Sequence, residues 1–227
     1  MRKIAVIIYG PPGSGKSTQA DLVAEKYGLI RFDVGKHIAG ILRDPENRKD
    51  KFIQSQKKLY ESGLLCDRTW VFNLFAGQLK KIFSSGYGVV IAGSPRAPDE
   101  AFNKEKLEGI LPMLIKNYGA KNVYIFSLKV KIARSTSRNQ NRKLCIVCGH
   151  QYLFTKARSL HDCPFCGAPL KTRRDDNAKV IGTRIKEFNA NTTDIFNGIK
   201  RLGLPIRIVD AEGKPFEVLS KISRWLS

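Results

Sequence analysis

The sequence has no long hydrophobic run. None of its apolar stretches approaches the ~20 residues that a helix needs to span a bilayer. The short apolar stretch Ile4–Tyr9 runs directly into a glycine-rich loop, unlike the leader of a secreted protein. We therefore expect a cytoplasmic protein with no membrane partner, a setting in which disulfides are disfavoured.

Acidic residues are also scarce. The 227 residues include 40 Lys and Arg but only 20 Asp and Glu, which gives a formal net charge of +20. Such an excess could attract nucleic acid. However, no aromatic-rich RNA-binding motif accompanies the basic residues, and many of them are scattered lysines. We therefore expect the positive charge to be spread over helix surfaces and keep nucleic acid as an alternative partner. We also expect the protein to be a monomer.

Internal repeats and low-complexity linkers are absent as well. Instead, short β-branched runs alternate with segments of helical periodicity. This alternation predicts an α/β fold with a five-stranded parallel sheet flanked by helices on both faces. The predicted strands are 3–9, 29–32, 88–92, 123–128 and 205–209. The predicted helices are 18–27, 35–42, 52–62, 70–84, 99–107 with Asp99 as N-cap, 131–138, 175–202 and 215–226.

A phosphate-binding motif follows the first predicted strand. Residues 10–17 read Gly-Pro-Pro-Gly-Ser-Gly-Lys-Ser, a complete G-x-x-x-x-G-K-[ST] phosphate loop. Its glycines let backbone N–H groups approach a polyphosphate, and the dipole of the following helix favours the anion. Lys16 can reach the β- and γ-phosphates, and the Ser17 hydroxyl can ligate Mg²⁺. The predicted ATP-binding residues are Gly10, Gly13, Ser14, Gly15, Lys16, Ser17 and Thr18.

Four of the five cysteines form two Cys-x-x-Cys pairs with 14 residues between them. A glycine follows each pair, as in zinc knuckles, and four thiolates complete a tetrahedral zinc site without an open position. The alternatives are two disulfides or a redox-active cysteine pair. Disulfides are disfavoured in the reducing interior of the cell, where we expect this protein. We therefore predict a structural Zn²⁺ bound by Cys145, Cys148, Cys163 and Cys166. We expect Cys66 to be a packed thiol and His150 and His161 to be solvated rather than ligands.

Arginines surround the cysteine segment in the sequence. Arg96 directly follows a predicted buried strand, where ligands bind in open α/β sheets. Arg134 and Arg138 lie one helical turn apart before the cysteines, and Arg173 and Arg184 come after them. A single guanidinium group can donate two parallel hydrogen bonds to the oxygens of a phosphate. Phosphoryl transfer also needs cations that neutralise the developing negative charge.

Together these motifs resemble the adenylate kinase family, in its long-lid, zinc-containing form. The resemblance covers essentially the whole chain. It implies reversible transfer of the ATP γ-phosphoryl group to AMP or a related nucleoside monophosphate, with ATP and the monophosphate as partners and Mg²⁺ and Zn²⁺ as cofactors. The matching segments are 10–18, 93–96, the Arg134/Arg138 pair, the cysteine lid, 173–177 with Arg184, and 208–222. The implied domains are a core (1–33, 66–138 and 173–227), a monophosphate-binding segment (34–65) and a zinc lid (139–172).

The resemblance also implies a role for each site residue. Lys16 would hold the β- and γ-phosphates, and the lid would close to exclude water as a competing acceptor. The catalytic set is Lys16 with the arginines that clamp the transferring group, Arg134, Arg138, Arg173 and Arg184. The monophosphate site comprises Gly35, Arg43, Arg96 and Glu100.

The chain departs from the family pattern at four positions. Ala92 and Lys36 stand where the family usually has carboxylates near Mg²⁺. An arginine expected near Ala39 is absent, although Arg43 lies one turn further on. Glu100 replaces the glutamine that reads the adenine edge, and a carboxylate accepts hydrogen bonds only, so it prefers a base edge rich in donors. The alternative function is therefore a nucleotide-binding protein of the same fold with weak or lost kinase activity and a regulatory or nucleic-acid-associated role.

Overall fold

The computed structural model describes residues 2–62, 64, 66–104, 107–145, 147–148, 151–152, 159–172 and 178–226. Its strands are β1 (Ala5–Tyr9), β2 (Ile30–Phe32), β3 (Val89–Ala92), β4 (Asn103–Lys104), β5 (Leu107–Glu108), β6 (Val123–Lys129), β7 (Lys143–Cys145), β8 (Gln151–Tyr152), β9 (Leu170–Lys171) and β10 (Ile206–Asp210). Its helices are α1 (Lys16–Tyr27), α2 (Val34–Arg43), α3 (Lys51–Glu61), α4 (Arg68–Ser84), α5 (Pro98–Ala101), α6 (Ile110–Tyr118), α7 (Ile132–Gln140), α8 (Ala178–Arg201) and α9 (Pro215–Ser223).

The main sheet has the strand order β10-β6-β1-β3-β2. Strands β10 and β6 are parallel, with Ile206 opposite Ile125, and β2 and β3 are parallel, with Ile30 opposite Val89. All five residues of β1 are buried, as expected for a strand covered by helices on both faces. The predicted five-stranded parallel α/β fold is confirmed.

The chain divides into two compact units. The first comprises Met1–Ile7 and Ala20–Tyr124, and the second comprises Ile8–Gln19 and Ile125–Ser227. The first unit carries α2 to α6, and aspartates begin three of those helices. The side chains of Asp33, Asp50 and Asp67 accept hydrogen bonds from the third backbone N–H of α2, α3 and α4, which satisfies a donor that the helix cannot.

The second unit contains the glycine-rich loop, α7 to α9 and the cysteine segment. Strands β8, β7 and β9 form a small antiparallel sheet, and Cys145 is the last residue of β7. Within the described ranges, no helix is long and apolar enough to cross a membrane.

The region between β3 and β6 differs from the prediction of a helix over 99–107. Helix α5 ends at Ala101, and the chain then turns back through the antiparallel pair β4–β5. Asp99 is not the N-cap, because that position belongs to Ala97, and its carboxylate instead pairs with Arg68 at 2.7 Å. The reversal is closed by a hydrogen bond of 2.9 Å from the Gly109 N–H to the Phe102 carbonyl. A Cβ at Gly109 would lie 2.1 Å from that carbonyl, so only glycine allows the two segments to approach.

Candidate active site and zinc centre

The glycine-rich loop joins β1 to α1 in the second unit. The Pro11 carbonyl accepts hydrogen bonds from the Ser14 N–H at 3.1 Å and from the Lys16 ammonium at 2.9 Å. Gly13 and Gly15 adopt positive φ angles of 77° and 90°, which favour glycine. Ser17 and Thr18 lie in the first turn of α1, so their backbone N–H groups belong to the unpaired set at the helix N-terminus. The loop therefore has the backbone form of an anion-binding turn.

Helix α7 packs directly against this loop. The Ser135 hydroxyl donates a hydrogen bond to the Pro12 carbonyl. The Asn139 amide donates to the Ser135 backbone carbonyl at 3.1 Å, and both side chains are buried. A Cβ on Gly13 would lie 2.4 Å from the Ser135 carbonyl oxygen and 2.6 Å from Asn139 Nδ2, so the loop backbone approaches α7 as closely as a glycine permits.

We expect Gly13→Ala to abolish measurable ATP binding or to weaken it at least about tenfold, because the new methyl group must displace either the loop or α7 and the positive φ adds strain. Gly40→Ala in α2 is the matched control, since Gly40 has an open environment and no positive φ. Isothermal titration calorimetry with MgATP measures the effect. Equal affinities of the Gly13→Ala variant and the wild type would contradict the observed packing.

The two predicted clamp arginines on α7 have different surroundings. Arg134 is exposed. Arg138 is half-buried and donates to the carbonyls of Ala211, Glu212 and Gly213, at 3.0, 3.3 and 3.3 Å. Burial first, and then the nearby positive charge of Arg134, lower the pKa of Arg138. The structure thus holds Arg138 against the segment that follows β10, and reaching a phosphoryl group requires exchange of these carbonyls for phosphate oxygens.

The other two predicted clamp residues are less completely described. Arg173 lies outside the described residues. Arg184 belongs to α8, but its side chain lies outside the described part of the structure. The sequence-based roles of these two arginines remain predictions.

The first unit carries the residues predicted for the monophosphate site. Gly35 lies in the first turn of α2, and Arg43 is exposed in its last turn. Asp33, which caps α2, also pairs with Arg31 at 3.2 Å, and Arg31 pairs with Asp21 at 2.6 Å. The Asp33 carboxylate is therefore engaged in holding the start of α2.

Arg96 and Glu100 form a local hydrogen-bonded turn after β3. The Glu100 carboxylate accepts the Arg96 backbone N–H at 2.7 Å, and the Arg96 Nε donates to the Gly93 carbonyl at 2.9 Å. Burial raises the pKa of Glu100, while the hydrogen bond and the charge of Arg96 oppose that rise. Glu100 is thus held in place by the turn that also holds the exposed Arg96.

The four predicted zinc ligands converge. All four Sγ atoms lie within 4.8 Å of one another. The Cys145–Cys166 and Cys148–Cys163 sulfur pairs are 3.5 and 3.6 Å apart. A tetrahedron with Zn–S bonds of 2.3 Å requires sulfur separations of about 3.8 Å, so the donor set fits Zn²⁺. The Tyr152 hydroxyl lies 3.1 Å from Cys163 Sγ, and the Cys148 N–H lies 3.4 Å from Cys145 Sγ. Both groups can donate to thiolates.

The remaining cysteine and histidines do not join this cluster where they are described. Cys66 is half-buried, packs beside the Ile38, Leu42 and Ile53 cluster, and burial raises the pKa of its thiol. His161 is exposed, and His150 lies outside the described residues. Sequence reasoning missed Ser135, Asn139 and Tyr152, because their partners are distant in the chain or are recognised only in three dimensions.

Comparisons with known proteins agree with this arrangement. An AAA domain family model matches residues 9–144, and a zinc ribbon domain family model matches residues 140–169. The phosphate loop on a parallel sheet and the four-cysteine ribbon define a P-loop kinase fold with a four-thiolate site for a structural zinc.

The chain belongs to the adenylate kinase family. It is 31% identical to an adenylate kinase from Pelobacter propionicus over 90% of this chain and 88% of the relative. It is 28% identical to one from Methanothrix thermoacetophila, over 98% of both chains, and 26% identical to one from Thermococcus kodakarensis, over 97% of this chain and 93% of the relative. Mg²⁺ accompanies ATP in this family.

Proposed function

We propose that the protein is a nucleoside monophosphate kinase that reversibly transfers the γ-phosphoryl group of ATP to AMP or a related monophosphate. The observation that carries this proposal is the contact between the phosphate loop and α7. That contact joins a polyphosphate-binding turn to the helix of Arg134 and Arg138 within one compact unit. Membership of the adenylate kinase family supports the same reaction.

In the proposed mechanism, the loop binds the ATP phosphates and Lys16 moves from the Pro11 carbonyl to their oxygens. When bound, Mg²⁺ would neutralise negative charge on the ATP phosphates, and the Ser17 hydroxyl is its proposed protein ligand. Arg134, Arg138, Arg173 and Arg184 neutralise the transferring group, and the ribbon segment 139–172 acts as a lid that excludes water. Gly10, Gly13, Ser14, Gly15 and Thr18 complete the proposed ATP site.

The acceptor is proposed to bind at segment 34–65 together with the turn after β3. The exposed Arg96, whose Nε donates to the Gly93 carbonyl, is the proposed ligand of the phosphate of the monophosphate. Gly35 and Arg43 of α2 are proposed to contact the same nucleotide. Glu100 is the proposed contact to the base. Residues 1–33, 66–138 and 173–227 are the proposed core, and a monomeric state and a cytoplasmic location remain predictions from the sequence.

The test is an acceptor screen with the zinc-loaded full chain, MgATP and each nucleoside monophosphate, in which diphosphate products are separated by liquid chromatography. We expect turnover with at least one monophosphate. Binding of MgATP without turnover of any acceptor would favour the alternative, a nucleotide-binding protein with lost kinase activity.

Glu100→Gln is expected to shift acceptor preference toward AMP. A carboxylate matches two neighbouring donors, as on guanine, whereas an amide matches the donor and acceptor of adenine. A hydrogen-bond mismatch of this kind changes the ratio of kcat/KM for AMP to that for GMP by about tenfold or more. Asp99→Asn is the matched control on the same helix. If Glu100→Gln lowered kcat/KM for AMP and for GMP equally, Glu100 would only support the turn that holds Arg96 and would not contact the base.

A further inference from the structure

Helix α7 contains two buried polar side chains that the proposed phosphoryl transfer does not use. Ser135 and Asn139 are each only 1% exposed. Burial of a hydroxyl or an amide costs free energy unless a hydrogen bond replaces the lost water. Each of the two therefore has a partner, and both partners lie at the contact between α7 and the phosphate loop.

The partner of Ser135 fixes the orientation of one loop peptide. The Ser135 hydroxyl donates to the carbonyl of Pro12, and that carbonyl shares its peptide plane with the N–H of Gly13. In a trans peptide, the C=O and N–H bonds point in opposite directions. A carbonyl held toward α7 therefore directs the Gly13 N–H away from α7, and an anion bound by the loop requires converging N–H groups.

Asn139 lies at the same contact between α7 and the loop. Its amide donates to the Ser135 backbone carbonyl at 3.1 Å, and a Cβ on Gly13 would collide with both groups. Ser135 and Asn139 also immediately follow Arg134 and Arg138 in the chain. One helix therefore contacts the loop and carries the two arginines proposed to clamp the phosphoryl group.

We propose that Ser135 is a positioning residue for the phosphate loop, because its hydroxyl holds the Pro12–Gly13 peptide in the orientation that presents the Gly13 N–H to a polyphosphate. This inference rests on the proposed function, in which the loop binds the ATP phosphates. Ser135 does not touch the substrate and acts through the loop peptide.

The experiment measures binding of inorganic triphosphate to the zinc-loaded full chain by isothermal titration calorimetry. Ser135→Ala and Ser135→Cys both remove the strong donor, and cysteine nearly preserves the volume if alanine impairs folding. Loss of one hydrogen bond weakens binding about 3- to 10-fold in both variants. Ser137→Ala is the matched control, because Ser137 is an exposed serine on the same helix, and we expect it to bind as the wild type does.

A second readout separates positioning from general stability. In glycine-labelled protein, the Gly13 amide resonance should shift on addition of triphosphate in the wild type and in Ser137→Ala, and should shift less in Ser135→Cys. Wild-type affinity in both Ser135 variants, with an unaltered Gly13 response, would overturn the inference while leaving the proposed function intact. A wild-type chain that binds neither triphosphate nor MgATP would remove the proposed function and this inference together.

Discussion

Replacing Lys16 with methionine is expected to lower kcat for phosphoryl transfer about 10³-fold, the loss typical of removing one preorganised charge from a developing transition state. The Lys16 ammonium rests 2.9 Å from the Pro11 carbonyl, at the loop that would hold the phosphates. A bound polyphosphate attracts the ammonium more strongly than a carbonyl does, because the hydrogen bond then joins opposite charges. Methionine retains most of the length of the side chain but provides neither charge nor donor.

The measurement is steady-state kinetics of the full chain with MgATP and the best acceptor. Lys26→Met is the matched control, because Lys26 lies in the last turn of the same helix and is exposed. We expect the control to keep wild-type kcat and both variants to keep wild-type zinc content. A fall in kcat of less than tenfold for Lys16→Met would exclude the proposed role of Lys16 in catalysis.

Removal of the zinc is expected to unfold the cysteine ribbon. The four thiolates fit a single tetrahedral ion, and among the described residues the buried cluster around them comprises Cys145, Cys163 and Leu170. A segment as short as 139–172 cannot bury enough apolar surface to offset its conformational entropy, so most of its folding free energy comes from the metal, on the order of 10 kcal/mol in comparable small sites.

Cys163→Ser is the sharpest variant for this test, since Cys163 is buried and contacts both Cys148 and Tyr152. We expect zinc content to fall from one ion per chain to well below one and kinase activity to fall at least about 10²-fold, because water is no longer excluded. Cys66→Ser should retain one zinc, since Cys66 packs elsewhere. Atomic emission and thermal unfolding provide the measurements, and full zinc content in Cys163→Ser would refute the four-thiolate site.

The sequence predicts the strands and the zinc ligands well because both signals are local. A buried β-branched run such as β1 has few alternatives to a central parallel strand. Two Cys-x-x-Cys pairs carry their ligand spacing within the motif itself. Helix α6, in contrast, was not predicted, because it has only nine residues and Pro112, a residue that often interrupts helices, lies between its fully buried Leu111 and Leu114.

The environment of the site residues depends on contacts that are remote in sequence. Arg138 bonds to carbonyls 73 to 75 residues away, and Ser135 bonds to Pro12 across 123 residues. Neither contact leaves a recognisable signature in the chain. Similarly, the Glu100 carboxylate is bonded to the backbone of Arg96, which no spacing rule indicates. The fold and the four thiolates were thus predictable from the sequence, whereas the hydrogen bonds of the proposed phosphoryl transfer residues were not.

The most direct test of the central proposal follows the γ-phosphoryl group itself. ATP labelled with ³²P at the γ position is incubated with Mg²⁺, the zinc-loaded chain and the preferred nucleoside monophosphate, and the products are separated. The label is predicted to appear in the β position of the nucleoside diphosphate, with little free phosphate, and to return to ATP when excess ADP is added. Label found only as inorganic phosphate, or retained in ATP with every acceptor, would contradict the assignment of the protein as a nucleoside monophosphate kinase.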